Sequence, residues 1–280
     1  MEVGQFGNLR IGAIIQARFD SSRFFGKVLK SLPFGSNETI LSQIHHRLSK
    51  VKLINEIIIA TSTEDSDDSI YDYCVENNFI CERGRKQNVL DRFVMVSQKR
   101  KLDVVIRITG DNPIVFVDLL ENAIKEHIDK GVDYTRSLNL PYGTGFEIVN
   151  SDVLRKINLK KLSASDCEHV TIYIKDNRDK FLIQEIQHGL PKLDFRFTID
   201  YPSDYAVMSI LFQFLAGNDY EYNFVDLKRF IDNNLWLHEI NCNNFQKKQF
   251  KLRGQEIDES IEVLRKLGYT NSVEILSRDR

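Results

Sequence analysis

Apolar runs of strand length alternate with segments of helical periodicity through the first half of the chain. Ile11 to Ile15 is a continuous apolar run that reads as a buried strand. A helix follows over Glu38 to Lys50, where Ile40, Leu41, Ile44 and Leu48 share one face and Ser36 or Asn37 supplies the cap. Glu56 to Ala60 is the second strand, Asp65 to Asn78 a helix acidic in its first turn, Phe79 to Cys81 a short third strand and Asn88 to Lys101 another helix. Val104 to Ile108 forms the fourth strand and Val117 to Lys130 is again helical. Repeated β-α-β units of this length imply a mostly parallel sheet with right-handed crossovers and helices on both faces. The second half is less regular. It holds a Gly-rich turn at Tyr142 to Gly145, a strand at Phe146 to Val149 and a helix at Ser165 to Asp176. Two further strands, Phe181 to Gln187 and Asp194 to Ile199, suggest an antiparallel addition to the sheet, and a helix from Ser203, its cap, runs to Ala216. Beyond Tyr222 the chain is mixed and polar, with Gln246 to Lys251 as a connector and Ile257 to Leu267 as an amphipathic helix. The division expected is one main domain over 1–220 and a mainly helical C-terminal extension over 221–280.

Lys and Arg number 38 against 40 Asp and Glu, so the protein as a whole exerts no pull on nucleic acid or an anionic membrane. A charged ligand must therefore be held by a local cluster. No stretch approaches the ~18 uncharged apolar residues that would span a bilayer, and the first ten residues lack the apolar core of a signal peptide, so a cytoplasmic location is expected. Cys74, Cys81, Cys167 and Cys242 are scattered without a C-x-x-C pair, which reads as reduced thiols rather than a disulfide framework or zinc knuckle. Cys167-Glu168-His169 are neighbours on a helix, where consecutive side chains point apart, so they do not form a zinc site.

The candidate chemistry lies where the first strand ends. Arg18, Arg23 and Lys27 follow it in a polar loop, with Ser21 and Ser22 as uncharged donors between them. In open α/β sheets ligands bind beyond the carboxyl ends of the strands, and Arg grips phosphate oxygens with paired hydrogen bonds. Taken alone, such a loop is more readily a solvated basic surface. Asp111 and Asp200 each end an apolar strand shortly before a proline. Either aspartate alone is explained as a turn cap. Together with the cationic loop they favour a metal-bound polyphosphate, because magnesium takes one or two protein carboxylates and completes its shell with phosphate oxygens and water.

The blocks Gln16-Ala17-Arg18, Ser21-Ser22-Arg23, Gly26-Lys27-Val28-Leu29, Ala60-Thr61-Ser62 and Asn88 to Phe93 occur in order, followed by Arg107 to Pro113, Glu168 to Thr171 and Thr198 to Asp204. As an ordered set they resemble the spore-coat-polysaccharide (SpsF-like) branch of the cytidylyltransferases that make CMP-activated acidic sugars. The resemblance implies a GT-A-like nucleotidyltransferase fold with a small mixed insertion and a helical tail. It implies transfer of CMP from CTP to an acceptor hydroxyl of an acidic sugar, with release of pyrophosphate, in surface polysaccharide or glycan biosynthesis. By position, Arg18, Arg23 and Lys27 hold the triphosphate, Asp111 and Asp200 hold Mg2+, and Gln16 and Thr61 meet the cytosine. Arg107, buried in its strand, needs a partner and positions Asp111 or reaches the nucleotide. Glu147, Glu168 and His169 fall on the acceptor side. A homodimer is expected from the family, with contacts from the chain beyond Tyr222, and no partnership with nucleic acid or membrane.

The chain departs from the family pattern in the loop, where Asp20 and Phe24-Phe25 replace Gly and Leu-Pro. Asp20 is expected to turn away from the phosphates or, as a second reading, to help hold a cation. Two other readings compete. A GT-A glycosyltransferase would need a D-x-D metal motif after a strand, and the triplet Asp65-Ser66-Asp67 stands at a helix start. A noncatalytic nucleotide-binding subunit draws support only from the altered loop.

Overall fold

The computed structural model describes residues 9–244 and 253–278. Its centre is a seven-stranded sheet in the order β3-β2-β1-β4-β6-β5-β7, with β1 at Ile11–Gln16, β2 at Glu56–Ser62, β3 at Ile80–Gly84, β4 at Val104–Thr109, β5 at Tyr134–Leu138, β6 at Glu147–Asn150 and β7 at Ile183–Gln187. The first four strands are parallel, as the β-α-β pattern requires. β6 is antiparallel to both β4 and β5. Helices α1 (Ile40–Leu48), α2 (Asp68–Glu76), α3 (Val89–Lys99) and α4 (Val117–Asp129) connect the first half. The second half carries α5 (Ser151–Asn158), α6 (Ala164–His169), α7 (Ile172–Asp176), α8 (Pro202–Ala216), α9 (Phe224–Asp232) and α10 (Trp236–Asn241).

Period-two alternation sends successive strand residues to opposite faces, and two cores result. Ile15, Ile59 and Ile106 join the layer formed with α1, α2, α4 and α8. Ile14, Ile58 and Val105 join the layer formed with α3, α5 and α7.

Several expectations are corrected. The cap of α1 is Thr39, whose hydroxyl accepts the Ser42 N–H at 3.1 Å, and not Ser36 or Asn37. The strand expected at 181–187 is present but runs parallel to β5. Residues 194–199 are not a strand: their N–H groups bond outside any ladder, Phe197 to the Tyr142 carbonyl and Ile199 to the Asp111 carbonyl, both at 2.8 Å. The helix expected over 165–176 is broken at Val170, whose φ of 57° no helix accommodates. β5 and α5 escape sequence reading. The first is a short, half-polar Tyr-Thr-Arg-Ser-Leu, and the second is an eight-residue helix without a side-chain cap. Ser203 does not cap α8; the helix starts at Pro202, and the Tyr201 N–H donates to the Asp204 carboxylate at 3.0 Å.

The chain divides into two compact units, 1–243 and 244–280. The first therefore extends past the boundary expected at 220 and includes α9 and α10, because Phe224, Leu227 and Leu237 are buried in its core. The second holds α11 (Arg253–Lys266) and α12 (Thr270–Arg278), which pack on each other; α11 covers most of the amphipathic helix expected at 257–267. The connector expected at 246–251 lies outside the described residues.

Candidate active site

The loop after β1 is folded by its own backbone. The Phe19 carbonyl accepts from the N–H groups of Ser21 and Gly26, each at 2.9 Å, and the Phe19 N–H donates to Asp67 at 2.7 Å. Gly26 has φ of 64°, and a Cβ there would stand 2.9 Å from the Phe19 ring, so glycine is required on both counts. Asp67 is buried and also accepts the Ser62 N–H at 3.0 Å and the Ser62 hydroxyl. Asp67, the last residue of the Asp65-Ser66-Asp67 triplet, is thus spent on backbone and hydroxyl donors, as a structural clamp rather than a metal ligand.

The loop delivers Lys27 inward. Its ammonium, 6% exposed as a residue, donates to Asp111 Oδ2 at 2.8 Å, to the Ile199 carbonyl at 2.8 Å and to Asp200 Oδ1 at 3.0 Å. All three ammonium protons are used. Arg23 reaches the same Asp200 Oδ1 at 2.6 Å and lies 5.1 Å from the Tyr201 ring centre. Arg196 donates to Asp200 Oδ2 at 3.0 Å. Burial works against the charge of Asp111, but Lys27 beside it and the Thr109 hydroxyl hold its carboxyl below the usual aspartate range. Two carboxylates from distant parts of the chain therefore converge on one cation position at the carboxyl edge of the sheet.

A second cluster stands beside the first. Glu147 on β6 is paired across the sheet with Arg107 on β4. Its carboxylate accepts from Arg107 Nη1 at 2.7 Å, Lys175 Nζ at 2.6 Å, the Thr171 hydroxyl at 2.9 and 3.0 Å, and the Tyr134 hydroxyl. Burial opposes this charge too, yet Arg107 and Lys175 bring its pKa down to about 2. Glu147 thus organises two cations, and Arg107 has the partner its burial demands.

The remaining residues singled out from sequence are distributed as follows. Gln16 ends β1 with its Oε1 buried and without a hydrogen-bond partner. Thr61 is fully buried with an unpartnered hydroxyl. Gln16 pairs with Ala60, so Thr61, the next residue along β2, projects from the opposite face. The two do not converge on one base from their strands, contrary to expectation. Arg18 and Ser22 are exposed and Ser21 is half-buried on the loop. Asp20 turns away from Lys27 and pairs with Lys86 at 2.5 Å. Glu168 is exposed on α6, and His169 ends that helix two residues before Thr171. Sequence reading missed Tyr134, Lys175, Arg196 and Asp204. The one available signal was Arg196 itself, a lone cation between Phe195 and Phe197.

A cationic loop, paired aspartates and a parallel sheet with an antiparallel extension together define a nucleotidyltransferase. The family model for cytidylyltransferases matches residues 12–228, and the chain belongs to that family. It is 39% identical over 207 residues to the spore coat polysaccharide biosynthesis protein SpsF of Bacillus subtilis (strain 168), covering 71% of this chain and 85% of that one. Its fold matches a cytidylyltransferase from Leptospira borgpetersenii with a TM-score of 0.75 at 23% identity, over 86% of this chain and all of that one. It also matches a CMP:2-keto-3-deoxy-manno-octonic acid synthetase complexed with CTP, with a TM-score of 0.54 at 16% identity, over 75% of this chain and 99% of that one. The protein is a CTP-dependent cytidylyltransferase: it forms a CMP-linked product and releases pyrophosphate.

Proposed function

We propose that the acceptor is an acidic sugar and that the Lys27 cluster is where MgCTP reacts. The observation that carries this reading is the convergence of Asp111 and Asp200 on the Lys27 ammonium. A position that satisfies one buried cation between two carboxylates suits the hard oxygen ligands that magnesium prefers. Asp111 and Asp200 would hold the ion, which when bound neutralises phosphate oxygens and lowers the cost of charge on the leaving group. Lys27, Arg23 and Arg18, with the hydroxyls of Ser21 and Ser22, would hold the triphosphate and orient the pyrophosphate for departure. An acceptor oxygen forms a bond to the α-phosphorus, the bond from that phosphorus to the pyrophosphate oxygen breaks, and the hydroxyl proton leaves to solvent. Gln16, with its unpartnered Oε1, is assigned to the base. Thr61 is not.

The acidic character of the acceptor is supported by the second cluster, where Arg107 and Lys175 carry two positive charges against the single charge of Glu147. Arg107 and Lys175 keep N–H groups for an acceptor carboxylate, and Glu168 and His169 are assigned to the same acceptor. No helix among the described residues is long and apolar enough to cross a membrane. A cytoplasmic site, where CTP is made, and a homodimer using the exposed Leu235 and Trp236 belong to the same proposal.

Incubation with CTP, Mg2+ and a panel of neutral and 2-keto-3-deoxy acidic sugars tests it by mass spectrometry. A CMP conjugate formed with acids and not with their neutral counterparts is expected, with stoichiometric pyrophosphate. Conjugates formed only with neutral sugars would overturn the acidic acceptor.

A further inference from the structure

Behind Asp200 lies a chain of buried polar groups that does not touch the cation position. Asp204, in the first turn of α8, is wholly buried. Its Oδ2 accepts the backbone N–H groups of Asp200 and Tyr201, each at 3.0 Å. Its Oδ1 accepts Arg196 Nε at 2.9 Å and Asn241 Nδ2 at 3.1 Å. Asn241 is 1% exposed and reaches the Arg196 carbonyl as well, at 3.4 Å. Arg196 in turn divides its guanidinium between Asp204 and Asp200 Oδ2. It also lies 5.0 Å from the Tyr142 ring centre, and Gly143, with φ of 90° and no room for a Cβ against Thr198 N, lets that loop close on the same segment.

These contacts form one closed network. Asn241 and Arg196 fix Asp204; Asp204 fixes the backbone of Asp200 and the tilt of Arg196; Arg196 fixes one carboxylate oxygen of Asp200 and leaves the other facing Lys27. Carboxylates that bind metals are oriented by such outer partners, and losing one typically costs 10–100-fold in metal affinity or activity. Asn241 ends α10, which lies beyond the 12–228 that match the family model. Nothing in a helix cap requires an amide from another helix, since the two backbone N–H groups already satisfy Oδ2.

We propose that Asn241, at the end of α10, is a positioning residue: acting through Asp204 and Arg196, it keeps Asp200 Oδ1 aimed at the cation site. The inference rests on the reading of Asp200 as a magnesium ligand given above. Asn241→Leu removes the amide while keeping the number and branching of the side-chain heavy atoms, and the Asn241 Oδ1 it discards is buried without a partner. Leu237→Val, in the same helix and fully buried, loosens α10 without touching Asp204. Calorimetric titration of the full chain with CTP, in Mg2+ and in EDTA, reads both variants. Asn241→Leu is expected to weaken MgCTP binding about tenfold while metal-free CTP binding stays within about twofold; Leu237→Val leaves both unchanged. If Asn241→Leu does not fold, Asn241→Ser, which shortens the donor's reach, is read in the same way. Full magnesium dependence retained in the Asn241 variant beside a magnesium-dependent wild type overturns the inference alone. A wild type that binds CTP equally in both conditions overturns the metal site and the inference with it.

Discussion

Replacing Lys27 by methionine is expected to cut pyrophosphate release about 10³-fold and to lower stability by about 3 kcal/mol, with the stability largely restored by Mg2+. Methionine keeps most of the apolar stem, one atom shorter, and removes the charge together with the three hydrogen bonds to Asp111, Ile199 and Asp200. Asp200 retains Arg23 and Arg196, but Asp111 loses the ammonium that offsets its burial. Removing one partner of a buried ion pair leaves the other uncompensated, which costs more than the pair itself contributes. A divalent ion placed between the same two carboxylates would supply the missing charge, so Mg2+ should raise the melting temperature of Lys27→Met more than that of wild type. The loss of about 3 kcal/mol corresponds to roughly 6–12 °C for a unit of this size. Thermal melts with and without Mg2+, beside a pyrophosphate assay, check both halves. A variant indifferent to Mg2+ would mean that the two aspartates serve Lys27 and not a metal.

The second large effect is expected at Glu147. Glu147→Gln keeps the shape of the side chain but leaves Arg107 and Lys175 without a counter-charge in a site where Glu147 is only 12% exposed. The pKa of about 2 in the folded protein lies below the ordinary 4.5, so ionised Glu147 stabilises the fold by about 3 kcal/mol at neutral pH. Because the folded value is depressed, that contribution is complete above pH 4.5 and is lost as the pH falls through 4.5 toward 2. Urea unfolding from pH 7 to 3 should therefore show Glu147→Gln less stable than wild type at pH 7, with the gap narrowing on the acid side. A gap independent of pH would mean that packing, not charge, holds this cluster. The acceptor affinity of the variant should fall as well, since Arg107 and Lys175 lose the group that orients them.

The parallel half of the fold was legible because buried parallel strands are continuous apolar runs, and Ile11 to Ile15, Ile57 to Ile59 and Val104 to Ile108 are unmistakable as such. The second half was legible only in part: β6 and β7 were found, but β5 was not. β5 mixes Thr135, Arg136 and Ser137 with its apolar residues, because Thr135 bonds His127, Arg136 pairs with Glu185 and Ser137 bonds the Phe146 backbone. Residues 194–199 alternate like a strand because Phe195 and Phe197 enter the core while Arg196 reaches the carboxylates, yet the backbone bonds to a loop and a strand end. Lys27 and Asp111 were identifiable from their places after β1 and β4, and Asp200 from an apolar run that reads as a strand without being one. The ammonium between the two carboxylates was not, because that contact depends on the Gly26 turn and on a crossing segment 172 residues away in sequence. Thr61 misled for a simpler reason: one position along a strand reverses the face, and only the register with Gln16 reveals it.

Asp111 and Asp200 form the proposed magnesium site of a CTP-using enzyme. Calorimetric titration of CTP into wild type and Asp111→Asn, with and without Mg2+, tests this most directly. Wild type should bind CTP far more tightly with Mg2+, and Asp111→Asn should bind it with the same modest affinity in both conditions. An Asp111→Asn protein that keeps the full magnesium dependence of wild type would contradict the assignment and move the metal away from the carboxylates beside Lys27.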